Sequence, residues 1–479
     1  MLEPNVLRLA AGSAVAGLAL AATAAGLAGP WDGGQRTAER RHAAAPAATG
    51  GAHHGRGPAA GAPAPRPAAP APRPAAPAPA PSAPAVLAPL AAPARAQAAA
   101  APALAGALDP LLRAPGLGSA RTASVVDVAT GRPLYGHGAA TPMAPASTVK
   151  IATAAAALSA LGPDHRLATT VVATPDGRTL TLVGGGDPTL DPARLKALAA
   201  DTAKALRARG AAPTALRYDT SLYKGPVRHR IGVNDNIAPV TPLMTAAGRL
   251  DGSTRGPAPR ALDPAAETAR TFARLLAGQG VKLAASPAPG RAPKGGPHLA
   301  TTRSAPLSSL VERTLTDSDN DLAEALARAT ARATGHPASF DGAGAAVRER
   351  LRKLGVPLDG AALRDGSGLD RRARVSARLL TALLARAADP AHPELRPVLT
   401  GLPVGGFSGT LEDRYADGSP AAGLVRAKTG TLTGVNALAG TAVTRDGRLL
   451  AFAFLASGTP SPYEAQPALD ALATALTAQ

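Results

Sequence analysis

The sequence predicts an α/β (α+β) fold in which one sheet, built from both ends of the folded region, is flanked by helices. Three observations support this fold class. Residues 121–135 read as a strand, a turn and the start of a return strand. A series of helical segments follows, and residues 437–457 read as two antiparallel strands. A sandwich with helices between an early hairpin and late strands accounts for this order.

The individual elements follow from local patterns along the chain. Residues 121–129 alternate in the manner of a strand and end at the turn Thr130-Gly131-Arg132. The Ala-rich helix predicted over 151–161 is stopped by Gly162-Pro163. Further helices are predicted over 192–209, 264–279, 308–334, 342–354, 376–387 and 469–477. Further strands are predicted over 169–173, 179–183, 423–427, 437–443 and 449–457.

The first 31 residues predict a signal peptide or a membrane anchor. An apolar run over residues 9–27 is preceded by Arg8 and ended by Gly29-Pro30, and Ala22-Thr23-Ala24 offers a cleavage site. A buried Ala-rich helix is the alternative. Export is the prediction, so the protein is expected outside the cytoplasm, either secreted into the cell wall or anchored on the outer face of the cytoplasmic membrane.

Residues 32–105 predict a disordered linker. The segment is rich in Pro, Ala and Gly, and proline removes backbone donors and fixes φ, so neither helix nor sheet can propagate. A semi-stiff spacer of this length reaches on the order of 200 Å at most. We expect a stalk that holds the folded region away from a membrane; a low-complexity insertion without purpose is the alternative.

Composition excludes several kinds of site. The 479 residues contain no cysteine, which excludes disulfides, thiol nucleophiles and thiolate zinc sites. The nine histidines show no His-Glu-x-x-His pattern, so we expect no metal and no cofactor. A net charge of +18 favours anionic partners, but aromatic residues that would stack on bases make up only 2% of the chain, which argues against nucleic acid.

The first chemical motif is Ser147-x-x-Lys150. Positions i and i+3 share a helix face, so the hydroxyl and the amine can touch. A serine is a poor nucleophile until a base takes its proton, and a lysine does this only if its pKa falls through burial or neighbouring cations. The same pattern recurs at Ser221 and Lys224, but Gly225-Pro226 follows directly, so we interpret that copy as a loop coincidence.

The second motif is Ser318-Asp319-Asn320. A second hydroxyl can relay a proton between nucleophile and leaving group, and the amide can hold a substrate carbonyl. The chain has only five asparagines, which makes Ser-x-Asn improbable by accident. The alternative is an N-cap for a helix over 322–334, since Ser, Asp and Asn all cap well.

The third motif is Lys428-Thr429-Gly430-Thr431, which follows a predicted strand. A lysine and two hydroxyls suit the capture of an anionic peptide end, and glycine lets a substrate backbone approach closely. An ordinary lysine in a hairpin turn is the alternative.

The three motifs in this order resemble the active-site set of penicillin-binding proteins and class A β-lactamases. Ser318 lies 171 residues after Ser147, and this long first gap resembles the D-alanyl-D-alanine carboxypeptidase/endopeptidase family, the class C low-molecular-mass penicillin-binding proteins. Stretches at 183–190, 304–307, 365–369 and 406–411 also look like that family.

The resemblance implies a serine β-lactamase/transpeptidase-like domain with a five-stranded sheet. Residues 106–165 and 300–479 would form this catalytic domain, and residues 166–299 would form a smaller inserted domain. The implied partners are peptidoglycan stem peptides and β-lactam antibiotics, in addition to the candidate membrane anchor.

The resemblance also implies roles for the motif residues. Ser147 would attack the carbonyl between two D-alanines and form an acyl-enzyme, with Lys150 as general base and Ser318 as proton shuttle to the leaving D-alanine. Backbone N–H groups of Ser147 and Thr431 would form the oxyanion hole. The predicted substrate-binding residues are Asn320, Lys428, Thr429, Gly430 and Thr431.

We further expect Lys150, facing Lys428, to be largely neutral at pH 7. Two competing functions remain open. A β-lactamase-like hydrolase would use the same first residues but deacylate quickly, although the chain lacks a Glu-x-x-Leu-Asn-like element. A catalytically idle wall-binding scaffold is the other alternative.

Overall fold

One antiparallel sheet gathers strands from both ends of the described chain. The structure, a computed structural model, describes residues 100–232, 234–415 and 418–479. The sheet has the order β2-β1-β10-β9-β8, with every neighbouring pair antiparallel. Its strands are β1 Ala120–Asp127, β2 Pro133–His137, β8 Val425–Leu432, β9 Val435–Val443 and β10 Leu449–Ser457. The predicted five-stranded sheet from both chain ends is therefore confirmed.

Ten α-helices accompany the sheets in the described part of the chain. In order they are α1 Ala100–Leu112, α2 Lys150–Leu161, α3 Pro192–Ala208, α4 Pro264–Gly278, α5 Leu307–Thr316, α6 Asn320–Ala333, α7 Phe340–Lys353, α8 Ala377–Ala388, α9 Pro397–Thr400 and α10 Pro462–Thr477. Several begin at a side-chain cap that the sequence makes available, as where Ser339 accepts from the N–H of Gly342 and Ser376 from that of Leu379.

The central strands β9 and β10 are buried on both faces. Phe452 and Phe454 pack with α1 and α10 on one side, whereas Ala451, Ala453 and Leu455 belong to the core formed with α2 and α8 on the other. A strand covered on both faces carries a nearly continuous apolar run instead of strict alternation. This explains why residues 449–457 read as strand in the sequence although they hardly alternate.

The layer that carries the first motif is a packed group of helices around α2. Ala152 and the alanines of residues 154–157 in α2 are fully buried, and they lie in one core with residues of α5, α6, α7 and α8. Alanine presents little side chain, so these helix backbones can approach closely. The close approach brings the start of α2 next to the start of α6, where the second motif lies.

A second sheet occupies residues 168–303, close to the predicted insertion over 166–299. Its strands are β3 Ala168–Ala173, β4 Thr179–Val183, β5 Ala215–Asp219, β6 Ala288–Pro289 and β7 His298–Arg303. They lie in the order β6-β5-β4-β3-β7. Pairs β4–β5 and β5–β6 are parallel and the others antiparallel. Side chains of α3 and α4 complete its core.

Two element predictions need correction. The single helix expected over 308–334 is wrong: it is broken between α5 and α6, where Ser318 has a φ of +56° and Asp319 caps α6 by accepting from the N–H of Leu322 at 2.9 Å. Strands β5, β6 and β7 were not predicted, because β5 is short, β6 has two residues and β7 is polar.

The folded region begins earlier than the linker prediction allows. Helix α1 starts at Ala100, inside the predicted linker 32–105, and Leu104 and Leu108 pack into the core beneath the sheet. Two leucines four residues apart form an apolar stripe on a helix, which the surrounding alanines obscured. The predicted signal or anchor over 1–31, and the linker up to residue 99, lie outside the described residues. Within the described part, no helix has the length and apolar character to cross a membrane.

Candidate active site

Ser147 lies in a tight 3-10 turn that leads directly into α2. The preceding Ala146 has a φ of +46°, a left-handed conformation that is costly for any residue with a Cβ. Two glycines flank this turn: a Cβ on Gly368 would lie 2.0 Å from Ala146 O, and one on Gly430 would lie 2.7 Å from Pro145 O. Among the described residues, the backbone that lies closest to Gly430 therefore belongs to the turn that carries Ser147.

Lys150 is the first residue of α2 and is fully buried. Its Nζ donates to Ser147 Oγ at 2.8 Å, to Asn320 Oδ1 at 2.7 Å and to the Ser367 backbone O at 2.7 Å. An ammonium has three N–H donors. All three of them therefore have a partner.

Only one of these three partners can also donate a proton. The Asn320 amide is oriented by its other end, because Nδ2 donates to Asn236 O at 2.9 Å and leaves Oδ1 facing Lys150. The Ser367 carbonyl can only accept. If Lys150 loses a proton, its two remaining N–H groups keep these two acceptors, and its lone pair faces the Ser147 hydroxyl. The arrangement makes Ser147 the one proton source for the neutral amine.

The charge of Lys150 is set by burial and by nearby carboxylates. Burial lowers the pKa of Lys150 to about 8. The carboxylates that oppose this lowering are Asp365, Asp319, Glu324 and Asp321. Burial therefore acts in the direction that the sequence analysis expected, and the four carboxylates act against it. The expectation of a largely neutral Lys150 at pH 7 stays a prediction.

Lys428, in β8, is a second fully buried lysine at the site. Burial first, and then the charges of Lys150 and Arg414, lower the pKa of Lys428 well below its ordinary value. Its Nζ donates to Thr429 O at 2.9 Å, and Thr429 Oγ1 donates to Thr410 Oγ1 at 2.9 Å. The sequence analysis expected the facing pair to perturb Lys150. In the structure the charge of Lys150 contributes to the lowered pKa of Lys428.

One cavity of about 370 Å³ brings the motifs together. Residues of all three motifs line it: Ser147, Ser318, Asn320, Thr429 and Thr431. Lys150 and Lys428 are buried beside it, joined to it through their contacts with Ser147, Asn320 and Thr429. An acyl group attached to the Ser147 hydroxyl would have the second and third motifs within the same cavity.

Charged side chains of both signs line the cavity. The arginines are Arg249, Arg255, Arg260 and Arg414, and the acidic residues are Asp317 and Asp319. Arg260 pairs with Asp321 at 2.7 Å and Arg414 pairs with Asp470. Neither Arg249 nor Arg255 pairs with a carboxylate of the described residues, so both guanidinium groups can meet an anionic part of a ligand.

The sequence analysis assigned no role to several of these residues. The arginines of residues 249–260 belong to no motif that the sequence analysis identified, so only the fold shows that they line the cavity. Asp365 and Ser367 stand in the stretch 365–369, which looked like the family without an assigned function. An Asp-Gly-Ser-Gly sequence is a signal for a tight loop, but the contact of Ser367 with Lys150 spans 217 positions.

Comparison with known proteins gives a consistent result. The D-Ala-D-Ala carboxypeptidase 3 (S13) family matches this chain over residues 104–259 and 249–478. Carboxypeptidase DacB of Mycolicibacterium smegmatis is 40% identical over 390 residues, which cover 78% of this chain and 83% of that protein. A D-alanyl-D-alanine carboxypeptidase of an Actinomadura species is 31% identical, covering 76% and 82% of the two chains.

Solved structures show the same fold. The crystal structure of penicillin-binding protein 4 from Haemophilus influenzae superposes with a TM-score of 0.64 at 23% identity, covering 77% of this chain and 97% of that one. A second structure of that protein, in complex with a β-lactam, superposes with a TM-score of 0.60 and 24% identity.

Proposed function

The chain belongs to the D-Ala-D-Ala carboxypeptidase 3 (S13) family, and from this premise we propose how its residues carry out the reaction. It is a serine-type D-Ala-D-Ala carboxypeptidase of the penicillin-binding type, acting outside the cytoplasm on peptidoglycan stem peptides. The observation that carries the assignment of roles is the 2.8 Å contact between Lys150 Nζ and Ser147 Oγ in a buried setting.

Acylation begins with neutral Lys150. Its lone pair takes the proton from Ser147 Oγ as this oxygen attacks the carbonyl carbon of the penultimate D-alanine. The negative charge that develops on the carbonyl oxygen is stabilised by the backbone N–H groups of Ser147 and Thr431. Protonated Lys150 then releases this proton, Ser318 relays it to the departing amine, the peptide C–N bond breaks, and an ester to Ser147 remains.

Recognition uses the other side of the cavity. Thr429 and Thr431 hold the terminal carboxylate of the substrate, with Lys428 supplying favourable electrostatics from behind, and Asn320 orients the acyl peptide. Gly430 supports this arrangement through the turn that carries Ser147. Water then cleaves the ester and returns Ser147 to its free form. A β-lactam enters the same path because its ring amide mimics the scissile bond, but its ester to Ser147 persists.

A labelled penicillin tests these roles. We expect a stable adduct whose mass maps to the peptide that contains Ser147, and release of D-alanine from a peptide ending in D-Ala-D-Ala. Ser147→Ala should abolish both signals. Rapid turnover of the penicillin would instead indicate a β-lactamase-like hydrolase, and a wild-type chain without adduct or D-alanine release would indicate a wall-binding scaffold.

Two features of the organisation belong to the same proposal. We propose that residues 1–31 export the chain and either anchor it or are removed, since the apolar run over 9–27 follows Arg8. We also propose that residues 166–299 form a separate domain inserted into the catalytic one, supported by the second sheet and its own core. N-terminal sequencing of the mature protein and limited proteolysis test these two points.

A further inference from the structure

A tight loop lies directly behind the catalytic lysine. The carbonyl of Ser367 accepts from Lys150 Nζ at 2.7 Å, and the neighbouring carbonyl of Gly366 accepts from Thr153 Oγ1 of α2 at 2.7 Å. Ser367 is fully buried. The backbone of this loop therefore supplies one of the three acceptors that hold the lysine amine.

Glu324 of α6 fixes that loop from behind. Its Oε1 accepts from Gly366 N at 3.0 Å, Ser367 N at 3.0 Å and Ser367 Oγ at 2.8 Å. Its Oε2 pairs with Arg328 at 2.9 Å, and both side chains of the pair are at most 1% exposed. A buried carboxylate is costly unless paired and hydrogen-bonded, and here it is both.

Asp365 holds the same loop from the other end. Its Oδ1 accepts from Gly368 N at 3.0 Å, and its Oδ2 accepts from Asp370 N at 2.8 Å and from Ser367 Oγ at 3.2 Å. Oδ2 also lies 3.0 Å from Nε2 of His229, which belongs to the segment proposed as the inserted domain. Buried His229 thus links that segment to the loop behind Lys150.

These groups form a hydrogen-bonded cluster and not a cation site. His229, Glu324 and Asp365 offer ligand atoms within 4.8 Å of one another. However, Glu324 already pairs with Arg328, and the oxygens of both carboxylates accept from backbone N–H groups, the Ser367 hydroxyl or His229. An added cation would displace these donors and face the Arg328 guanidinium.

We propose that Glu324 and Asp365 are positioning residues for the catalytic lysine. Their hydrogen bonds hold the Ser367 carbonyl in contact with Lys150 Nζ. Their negative charges favour the protonated amine in the resting enzyme. The proposal rests on the role of Lys150 as general base. It assigns a function to the stretch 365–369 beyond its resemblance to the family.

Other charges act on Lys150 as well. Asp319 and Asp321, from the start of α6, raise its pKa together with Glu324 and Asp365. Lys428 faces it from β8, Arg328 pairs with Glu324, and His229 hydrogen-bonds with Asp365. Removing either of these carboxylates should lower the pKa of Lys150, so the neutral amine should be present at lower pH.

The test follows the acylation rate by labelled penicillin as a function of pH. In the wild type we expect an acid limb with a midpoint near the Lys150 pKa of about 8. Glu324→Gln keeps an acceptor oxygen for the three loop donors but removes the charge. Its acid limb should move to lower pH by about one unit. Asp365→Asn is the second charge variant and should shift the limb in the same direction.

Two further variants separate charge from support. Ser367→Ala removes hydroxyl contacts with both carboxylates but keeps every charge, so it should lower the plateau rate and leave the limb in place. Asp127→Asn is the matched control: this buried carboxylate accepts from Thr130 and is not among the groups that act on Lys150, so limb and plateau should stay unchanged.

Each result has a distinct meaning. An acid limb that stays in place in folded Glu324→Gln or Asp365→Asn overturns the electrostatic half of the inference, and a wild-type plateau in Ser367→Ala overturns the positioning half. In both cases the acyl-enzyme on wild-type Ser147 leaves the proposed function standing. A wild type without any adduct overturns the proposed function itself, and the inference with it.

Discussion

Two segments of the chain carry the pattern Ser-x-x-Lys in different surroundings. At Ser147 the pattern crosses from a 3-10 turn into α2, and Lys150 reaches the serine hydroxyl at 2.8 Å. At Ser221 the chain forms turns outside any helix, and Lys224 donates to the backbone O of Ser221 at 3.0 Å while its side chain is exposed.

The difference between the two copies shows which surroundings make the serine of this pattern a nucleophile. Lys150 is fully buried, and this burial lowers its pKa to about 8. Lys224 is exposed to solvent. Its amine also contacts a carbonyl, which has no proton to give. A nucleophile requires a helix start, a desolvated amine and a hydroxyl that faces it, and only the first copy has all three.

The largest expected effect comes from substituting Ser147, with the same substitution at Ser221 as the matched control. Ser147→Ala should lower the rate of penicillin acylation by roughly 10³-fold or more, because Ser147 supplies the only hydroxyl among the described residues that hydrogen-bonds to Lys150 Nζ. Ser221→Ala should stay within about twofold of the wild type. Stopped-flow or gel-based acylation measures both. Equal losses in the two variants would remove the distinction between the copies.

The lysines should differ almost as strongly. Lys150→Met should reduce acylation by at least about 10²-fold and abolish the acid limb near pH 8, because the group whose deprotonation produces this limb is gone. For a base that acts when neutral, the wild-type rate rises as pH passes upward through its pKa. Lys224→Met is the control, with limb and plateau retained. If the acid limb persists in Lys150→Met, a group other than Lys150 produces it.

A smaller effect is expected at Lys428, which is fully buried whereas Lys224 is exposed. Lys428→Met should lower kcat/KM for a peptide with a free C-terminal carboxylate by about 10- to 100-fold. The loss should shrink for the matching peptide amide, because a bound carboxylate favours the protonated form of Lys428, whose pKa burial lowers, and a neutral amide does not. The same factor for both peptides would argue that Lys428 supports the fold and not the carboxylate.

The sequence predicts an element or a contact well when the residues that form it lie close together along the chain. The start of α2 behind Ser147 and the strands 179–183 and 449–457 are confirmed, because Ala-rich and apolar runs bounded by Gly and Pro specify them locally. The order of three motifs identified the family, since a chain with eight lysines and five asparagines seldom matches all three.

Contacts between distant segments could not be read in this way. The acceptor that Ser367 provides to Lys150 lies 217 positions away, and no periodicity encodes it. The four carboxylates that oppose the lowering of the Lys150 pKa reach it from α6 and the loop after α7, so a local view of two facing lysines did not include them. At the second motif the N-cap alternative and the site prediction both apply, because Asp319 caps α6 while Ser318 and Asn320 line the cavity.

The smallest effect concerns two glycines that stand next to the two patterns. Gly430→Ala would place a Cβ 2.7 Å from Pro145 O and 3.2 Å from the Ala146 Cβ, which shifts the turn that carries Ser147. We expect about tenfold slower acylation with the fold retained, since displacement of a reacting group by a fraction of an ångström is enough to slow the chemistry. Acylation rate and thermal unfolding measure the two consequences.

The partner variant is Gly225→Ala, beside Lys224. Gly225 has a φ of +73° and open space around it, with Ser339 Cβ the nearest atom at 3.5 Å. Alanine there should lower the free energy of unfolding by about 1 kcal/mol through backbone strain and leave acylation unchanged. If Gly430→Ala lost stability in the same way and kept its acylation rate, the glycine of the third motif would serve the strand alone, and the serine turn would owe its position to Gly368.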